Sequence, residues 1–176
     1  STVEDVDNLE VPDPERMAYL TQTTLSLDET RDIVVRLKER FPSIQGPKSQ
    51  DICYATENRQ LGVKAVVPLC DMLLVVGSQN SSNSRRLVEV CQKEGVPSYL
   101  VDDGDGVKAE WLANADTVAV TAGASAPEVL VQSLLDLLKS KFGFGMLEEM
   151  ELKQEDVRFQ LPVIAPAAPR RTEIRA

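Results

Sequence analysis

Apolar positions along this chain fall into two patterns. DMLLVVG (71–77) and DTVAVTAG (116–123) are apolar at consecutive positions, as in strands covered on both faces. PSYLVDD (97–103) reads as a third strand. Between these runs the period is helical. One helix starts at Ser82 or Asn83, runs through Glu94 and is stopped by Gly95, and a shorter one covers GVKAEWLANA. Beyond 125–128 a helix carries Val129, Leu130, Leu134, Leu137 and Leu138, with Lys139 and Lys141 near its negative end. Upstream, MAYLTQTT (17–24) and DICYAT (51–56) read as strands, and NRQLGVKAVVP as a short helix. Another helix starts at Ser26, places Ile33, Val34, Leu37 and Phe41 on one face, and ends at Pro42. S-x-x-E at 26–29 and at 125–128 has the form of a capping box.

Strands alternating with helices of this length predict an α/β fold, a parallel sheet with helices on both faces. IQGPKSQ is the best boundary, so the segments expected are 1–48, 49–145 and 146–176. Residues 1–16, polar and acidic, read as a loop or as the tail of an element not contained here. In the last segment VRFQLP is strand-like, and the Pro/Ala-rich, basic tail reads as extended.

Composition narrows the chemistry. The chain has 176 residues, a net charge of 19 − 28 = −9, three Cys and no His. Without His there is no Ser-His-Asp triad, Cys-His pair or H-E-x-x-H zinc helix. Three Cys make neither a Cys₄ zinc site nor a closed disulfide framework. The acidic balance argues against nucleic-acid binding. No apolar run approaches the ~18 residues of a membrane span, and the polar start is not a signal peptide. Unpaired thiols then fit a cytoplasmic, reducing setting.

Candidate chemistry gathers where an open parallel sheet binds ligands, at the carboxyl ends of its strands. Those ends read TQTT (21–24), CYATENRQ (53–60), GSQNSSNS (77–84) and TAGASAP (121–127), all rich in hydroxyls and amides. Two lead into helix N-termini, which attract anions. Ser81, Ser82 and Asn83 therefore suggest a phosphate or diphosphate site without cationic side chains. Capping alone would account for Ser125. It does not account for GSQNSSNS, because one helix needs one cap and this loop has four Ser and two Asn. Cys70 and Cys91 fit core positions, whereas Cys53 stands among polar neighbours.

Four ordered motifs, TQTTLSLDET (21–30), DICYATENRQ (51–60), VVGSQNSSNSRRL (75–87) and TAGASAPEVLVQ (121–132), resemble the 4-hydroxy-3-methylbut-2-enyl diphosphate reductase family. That family consists of iron–sulfur enzymes of the non-mevalonate isoprenoid route. The resemblance implies that Cys53 is one of three cysteine ligands of a [4Fe–4S] cluster. It implies that Ser81, Ser82, Asn83 and Ser125 hold the substrate diphosphate, and that Thr23 belongs to the proton-delivery network beside the substrate hydroxyl. The implied reaction is a reductive dehydroxylation giving isopentenyl and dimethylallyl diphosphate, with electrons from a ferredoxin or flavodoxin. The family builds three similar α/β units around its cluster. On this resemblance the chain is the C-terminal part, with the end of the second unit and the whole of the third. The other two cysteine ligands, the active-site histidines and the proton-donating glutamate have no counterpart here, so the chain alone is expected to be inactive. Two other readings remain: a non-catalytic diphosphate-binding module, and a structural domain with no anion site.

Overall fold

The computed structural model describes residues 2–47 and 53–150. At its centre is a three-stranded sheet of β1 (Met72–Val76), β2 (Ser98–Val101) and β3 (Val118–Ala122), in the order β2-β1-β3. Both pairings are parallel: Leu74 lies opposite Tyr99 on one side and Val120 on the other. β1 is central and every one of its residues is buried, which is why its sequence is continuously apolar rather than alternating.

The pleat sends Leu73 and Val75 to one face, against Leu87, Val90 and Cys91 of α4 (Ser82–Lys93) and Val63 of α3 (Tyr54–Val66). Met72, Leu74 and Val76 face the other way, against Leu112 of α5 (Ala109–Leu112) and Leu134 and Leu138 of α6 (Glu128–Phe142). Helices thus cover both faces, as the alternation predicts. Gly95 follows α4 with a φ of +85°, a left-handed turn that removes the chain from the helix.

The structure departs from expectation in four places. Residues 3–7 form a short helix, α1 (Val3–Asp7), rather than loop. Thr2 and Asp5 close a capping box around it, and its Val6 is buried. The expected strand at 17–24 is reduced to one parallel bridge, Ala18 to Gln45, and Thr23 lies in a turn. With no further strand beside that bridge among the described residues, the first segment has no sheet of its own there. Its helix, α2 (Leu27–Arg40), has no fully buried residue; Ile33, Val34 and Leu37 are half-buried and only Phe41, just past its end, is buried.

The third departure is DICYAT. Residues 51–52 lie outside the described residues, but Cys53 is the N-cap of α3 and Tyr54–Thr56 are its first turn, not a strand. The buried positions Thr56, Gln60, Val63 and Val67 recur at helical spacing. Two of the four are polar, so apolar periodicity does not reveal the first half of the helix.

The fourth concerns the capping boxes. Ser26 is the N-cap of α2 but makes no side-chain cap bond. α6 starts after Pro127, leaving Ser125 in a turn two residues upstream with no part in the cap. The strand-like VRFQLP and the basic tail lie outside the described residues.

Candidate functional site

α4 leaves β1 toward one face of the sheet, and α6 leaves β3 toward the opposite face. The carboxyl ends of β1 and β3 therefore flank the crevice where connections diverge, the usual ligand position in an open α/β sheet. The two loops that open on it are GSQNSSNS and TAGASAP. α3 leads back to the amino end of β1 through a single turn of 3₁₀ helix at Val67–Leu69, so it runs antiparallel to the strands. Its N-terminus, with Cys53, accordingly lies toward the same carboxyl edge.

Close packing of these loops depends on two glycines. A Cβ on Gly77, just past β1, would lie 2.2 Å from Ser84 Oγ, and one on Gly123, just past β3, would lie 2.1 Å from the same atom. Neither glycine has a positive φ. They are needed for space: their absent side chains let the first turn of α4 settle onto the strand ends. A Cβ on Gly123 would also stand 3.8 Å from Asn83 Nδ2. Asn83 thus carries its amide to the start of the TAGASAP loop.

An inventory of the serine-rich loop separates local duties from spare capacity. Ser78 Oγ accepts from the Asn80 amide (3.2 Å) and shapes the turn. Ser81 Oγ caps α4, accepting from Ser84 N (3.2 Å) and Ser84 Oγ (3.0 Å). With both lone pairs engaged, its own O–H is left to donate elsewhere. Ser82, in the first turn of α4, and Ser125 are exposed. Asn83 is only 7% exposed, and neither its Nδ2 nor its Oδ1 has a hydrogen-bond partner. An unpartnered buried amide costs about 1–3 kcal/mol. This one stands in the first turn of α4 beside Gly123, just past the end of β3.

Cys53 is exposed and its side chain makes no cap bond. Its backbone amide donates to Thr23 O at 3.2 Å, so two of the candidate residues meet through the main chain. The other two thiols differ. Cys70 is half-buried and donates to Val67 O; desolvation raises its pKa. Cys91 is fully buried, donates to Val96 O, and is pushed up to about 11 by burial. Both behave as core residues, as their sequence surroundings suggest.

Sequence reasoning missed Gln60, Ser84, Gly77 and Gly123. Gln60 is completely buried on α3. Its Oε1 accepts from Leu27 N (3.1 Å) and its Nε2 donates to Leu25 O (2.8 Å). This satisfies the amide of Leu27, the first residue of α2. The first turn of α2 is also pinned by ion pairs from Asp28 to Lys64 and from Glu29 to Lys93 and Arg86. Hydrogen bonding to Lys64 lowers the pKa of Asp28, and hydrogen bonding to Lys93 lowers that of Glu29. No candidate residue lines the cavity of about 500 Å³ beside Leu112, Asp116, Phe142 and Met146, which lies at the opposite, amino edge of the sheet. Among the described residues no group of three or more His, Cys, Asp or Glu is arranged to hold a metal, and no helix is long and apolar enough to cross a membrane.

Fold and site together define a doubly wound α/β unit whose strand-end crevice is lined by neutral hydrogen-bonding groups. Comparison with known proteins gives it a family. Residues 1–139 match the family described as LytB protein, and the chain belongs to that family. It is 54% identical over 158 residues to the 4-hydroxy-3-methylbut-2-enyl diphosphate reductase of Tolumonas auensis, covering 90% of this chain and 51% of that protein. To the protein of the same name from Ralstonia nicotianae it is 52% identical over 161 residues, covering 92% and 49%. The structure of E-1-hydroxy-2-methyl-but-2-enyl-4-diphosphate reductase from Plasmodium falciparum superposes with a TM-score of 0.83 at 36% identity, covering 92% of this chain and 51% of that one. The chain spans about half the length of the curated relatives it matches.

Proposed function

We propose that this chain is the C-terminal part of a 4-hydroxy-3-methylbut-2-enyl diphosphate reductase and supplies the diphosphate-binding crevice and one cluster ligand. In this reading 1–48 is the end of the second α/β unit and 49–145 is the third. The observation that carries the proposal is the buried, unpartnered amide of Asn83, held in the first turn of α4 beside Gly123 at the end of β3. The Asn83 amide, the free O–H of Ser81, and the exposed hydroxyls of Ser82 and Ser125 donate to diphosphate oxygens. Neutral donors suit an anion that must later leave as product. The shared reductase name among the relatives favours this reading over a non-catalytic binding module.

A [4Fe–4S] cluster fits Cys53 as a single ligand: the thiol is exposed and unspent on capping. No other metal-binding group gathers around it among the described residues, so the remaining ligands come from outside this chain. When bound, such a cluster supplies single electrons and a Lewis-acidic iron. The chain's own residues orient the substrate. Anchoring the diphosphate fixes the far end of a short molecule, and Thr23, tied through its carbonyl to the Cys53 amide, holds a hydroxyl for proton transfer at the other end. The reaction takes up two electrons, from a ferredoxin or flavodoxin, and two protons, and releases water. Three unpaired thiols suit a reducing cytoplasm.

Titration of the chain with inorganic pyrophosphate, followed by calorimetry, tests the crevice. Three or four charge-assisted bonds at about 1.5–3 kcal/mol each, less ordering costs, place binding in the micromolar-to-millimolar range. Asn83→Ala is expected to weaken it by about tenfold or more. An affinity unchanged by Asn83→Ala, or no binding by the wild-type chain, would refute the assignment.

A further inference from the structure

We infer that Gln60 is a positioning residue, whose side-chain amide, clamped across the backbone of Leu25 and Leu27, sets the Thr23 turn against Cys53. The inference deepens the proposed function, since it rests on Thr23 and Cys53 facing one reaction centre.

The geometry is a two-point attachment. At its N-terminus α3 binds the 23–27 segment through Cys53 N to Thr23 O at 3.2 Å. Seven residues along the chain it binds the same segment again, through Gln60 to Leu25 O at 2.8 Å and Leu27 N at 3.1 Å. The two points lie about 10 Å apart along the helix axis. The segment from Thr23 to Leu27 reaches at most about 14 Å, so both clamps act on the same short piece of chain. Releasing the lower clamp lets the Thr23 turn drift from the Cys53 amide, two helical turns from the substitution.

Gln60 is suited to this task in ways a cap residue is not. It is 0% exposed, so water does not compete for its bonds. It engages one donor and one acceptor on either side of Ser26, which orients the backbone as well as satisfying it. A long apolar residue would fill the same volume and hold neither group. The ion pairs of Asp28 and Glu29 pin the next turn of α2, but they involve half-exposed side chains and contribute little to position.

Amide hydrogen exchange by NMR on the whole 176-residue chain tests the inference without any ligand. The variants are Gln60→Met, similar in length without the amide, and Gln60→Asn, which keeps the amide one methylene short. Protection at both Leu27 and Cys53 is expected to fall by about tenfold, measured against Leu73 and Val75 of β1. General destabilisation would lower β1 protection in parallel, and normalising to those amides removes it. Loss at Leu27 alone, with Cys53 unchanged, would show that Gln60 only caps α2 and would overturn the inference. Should Gln60→Met not fold, Gln60→Asn provides the same comparison. Failure of pyrophosphate to bind the wild-type chain would overturn the diphosphate reading and leave the exchange result standing.

Discussion

The close approach of Gly77 and Gly123 to Ser84 predicts a specific pattern of non-additivity. In Gly123→Ala the new methyl would sit 2.1 Å from Ser84 Oγ but 3.4 Å from Ser84 Cβ. The hydroxyl must rotate away and abandon its bond to Ser81 Oγ, or the first turn of α4 must lift. Overpacking of this kind costs about 1–3 kcal/mol. Ser84→Ala by itself loses one buried hydroxyl bond, about 0.5–1.5 kcal/mol. Once Oγ is gone, the nearest remaining atom of residue 84 is at ordinary contact distance, so Ser84→Ala should suppress most of the Gly123→Ala penalty. Gly77→Ala is different, because its methyl would lie 2.8 Å from Ser84 Cβ itself. Removing the hydroxyl leaves that clash, and the Gly77→Ala penalty should persist. Urea unfolding of the wild type, three single and two double variants completes both cycles. Trp111, the single tryptophan, reports by fluorescence, and circular dichroism checks that the transitions coincide. A coupling energy of about 1 kcal/mol or more is expected for Gly123 with Ser84, and a clearly smaller one for Gly77 with Ser84. Gly123→Ala and Ser84→Ala adding to within about 0.5 kcal/mol would refute the packing argument.

Three further outcomes follow from the site. Asp28 and Glu29 have pKa values lowered chiefly by hydrogen bonds to Lys64 and Lys93; a carboxylate of depressed pKa contributes stability above its unfolded value that is lost as pH falls through the folded one. The contribution of these pairs should therefore vanish on acidification below the ordinary carboxylate range. Lys64→Ala with Lys93→Ala should flatten that part of the pH–stability curve by less than about 1 kcal/mol per pair, since both carboxylates are half-exposed. Thiol titration with an aromatic disulfide at pH 8 should show one fast cysteine, lost in Cys53→Ser, while Cys91 reacts only on unfolding because burial holds its pKa at about 11. Anaerobic iron–sulfur reconstitution of the chain should give no stoichiometric [4Fe–4S] spectrum; its appearance would contradict the view that other ligands lie outside this chain.

Short-range pattern was enough for much of this molecule. β1 is recognisable because all five residues are buried and therefore apolar, and α4 and α6 because their inward faces repeat at helical period. Of the four hydroxyl- and amide-rich segments read as strand ends, GSQNSSNS and TAGASAP do follow strands, whereas TQTT and CYATENRQ do not. Other features depend on groups distant in the chain. α3 starts earlier than its apolar pattern indicates, because Thr56 and Gln60 occupy buried positions. Gln60 tolerates burial only because Leu25 and Leu27, more than thirty residues away, meet both ends of its amide. The serine at 26 makes no side-chain cap bond, although its S-x-x-E spacing suits a capping box.

Asn83 shows the division most clearly. Its letter in a serine-rich loop states that an amide is available, and one letter carries no more than that. Whether the amide is satisfied by a neighbour, bathed in water or buried without a partner depends on where β3 and Gly123 come to rest against the first turn of α4. Local sequence sets which groups a segment can offer, whereas burial and partnership are properties of pairs brought together by the chain's long-range return. The burial and missing partner of the Asn83 amide therefore appear only once the sheet is assembled.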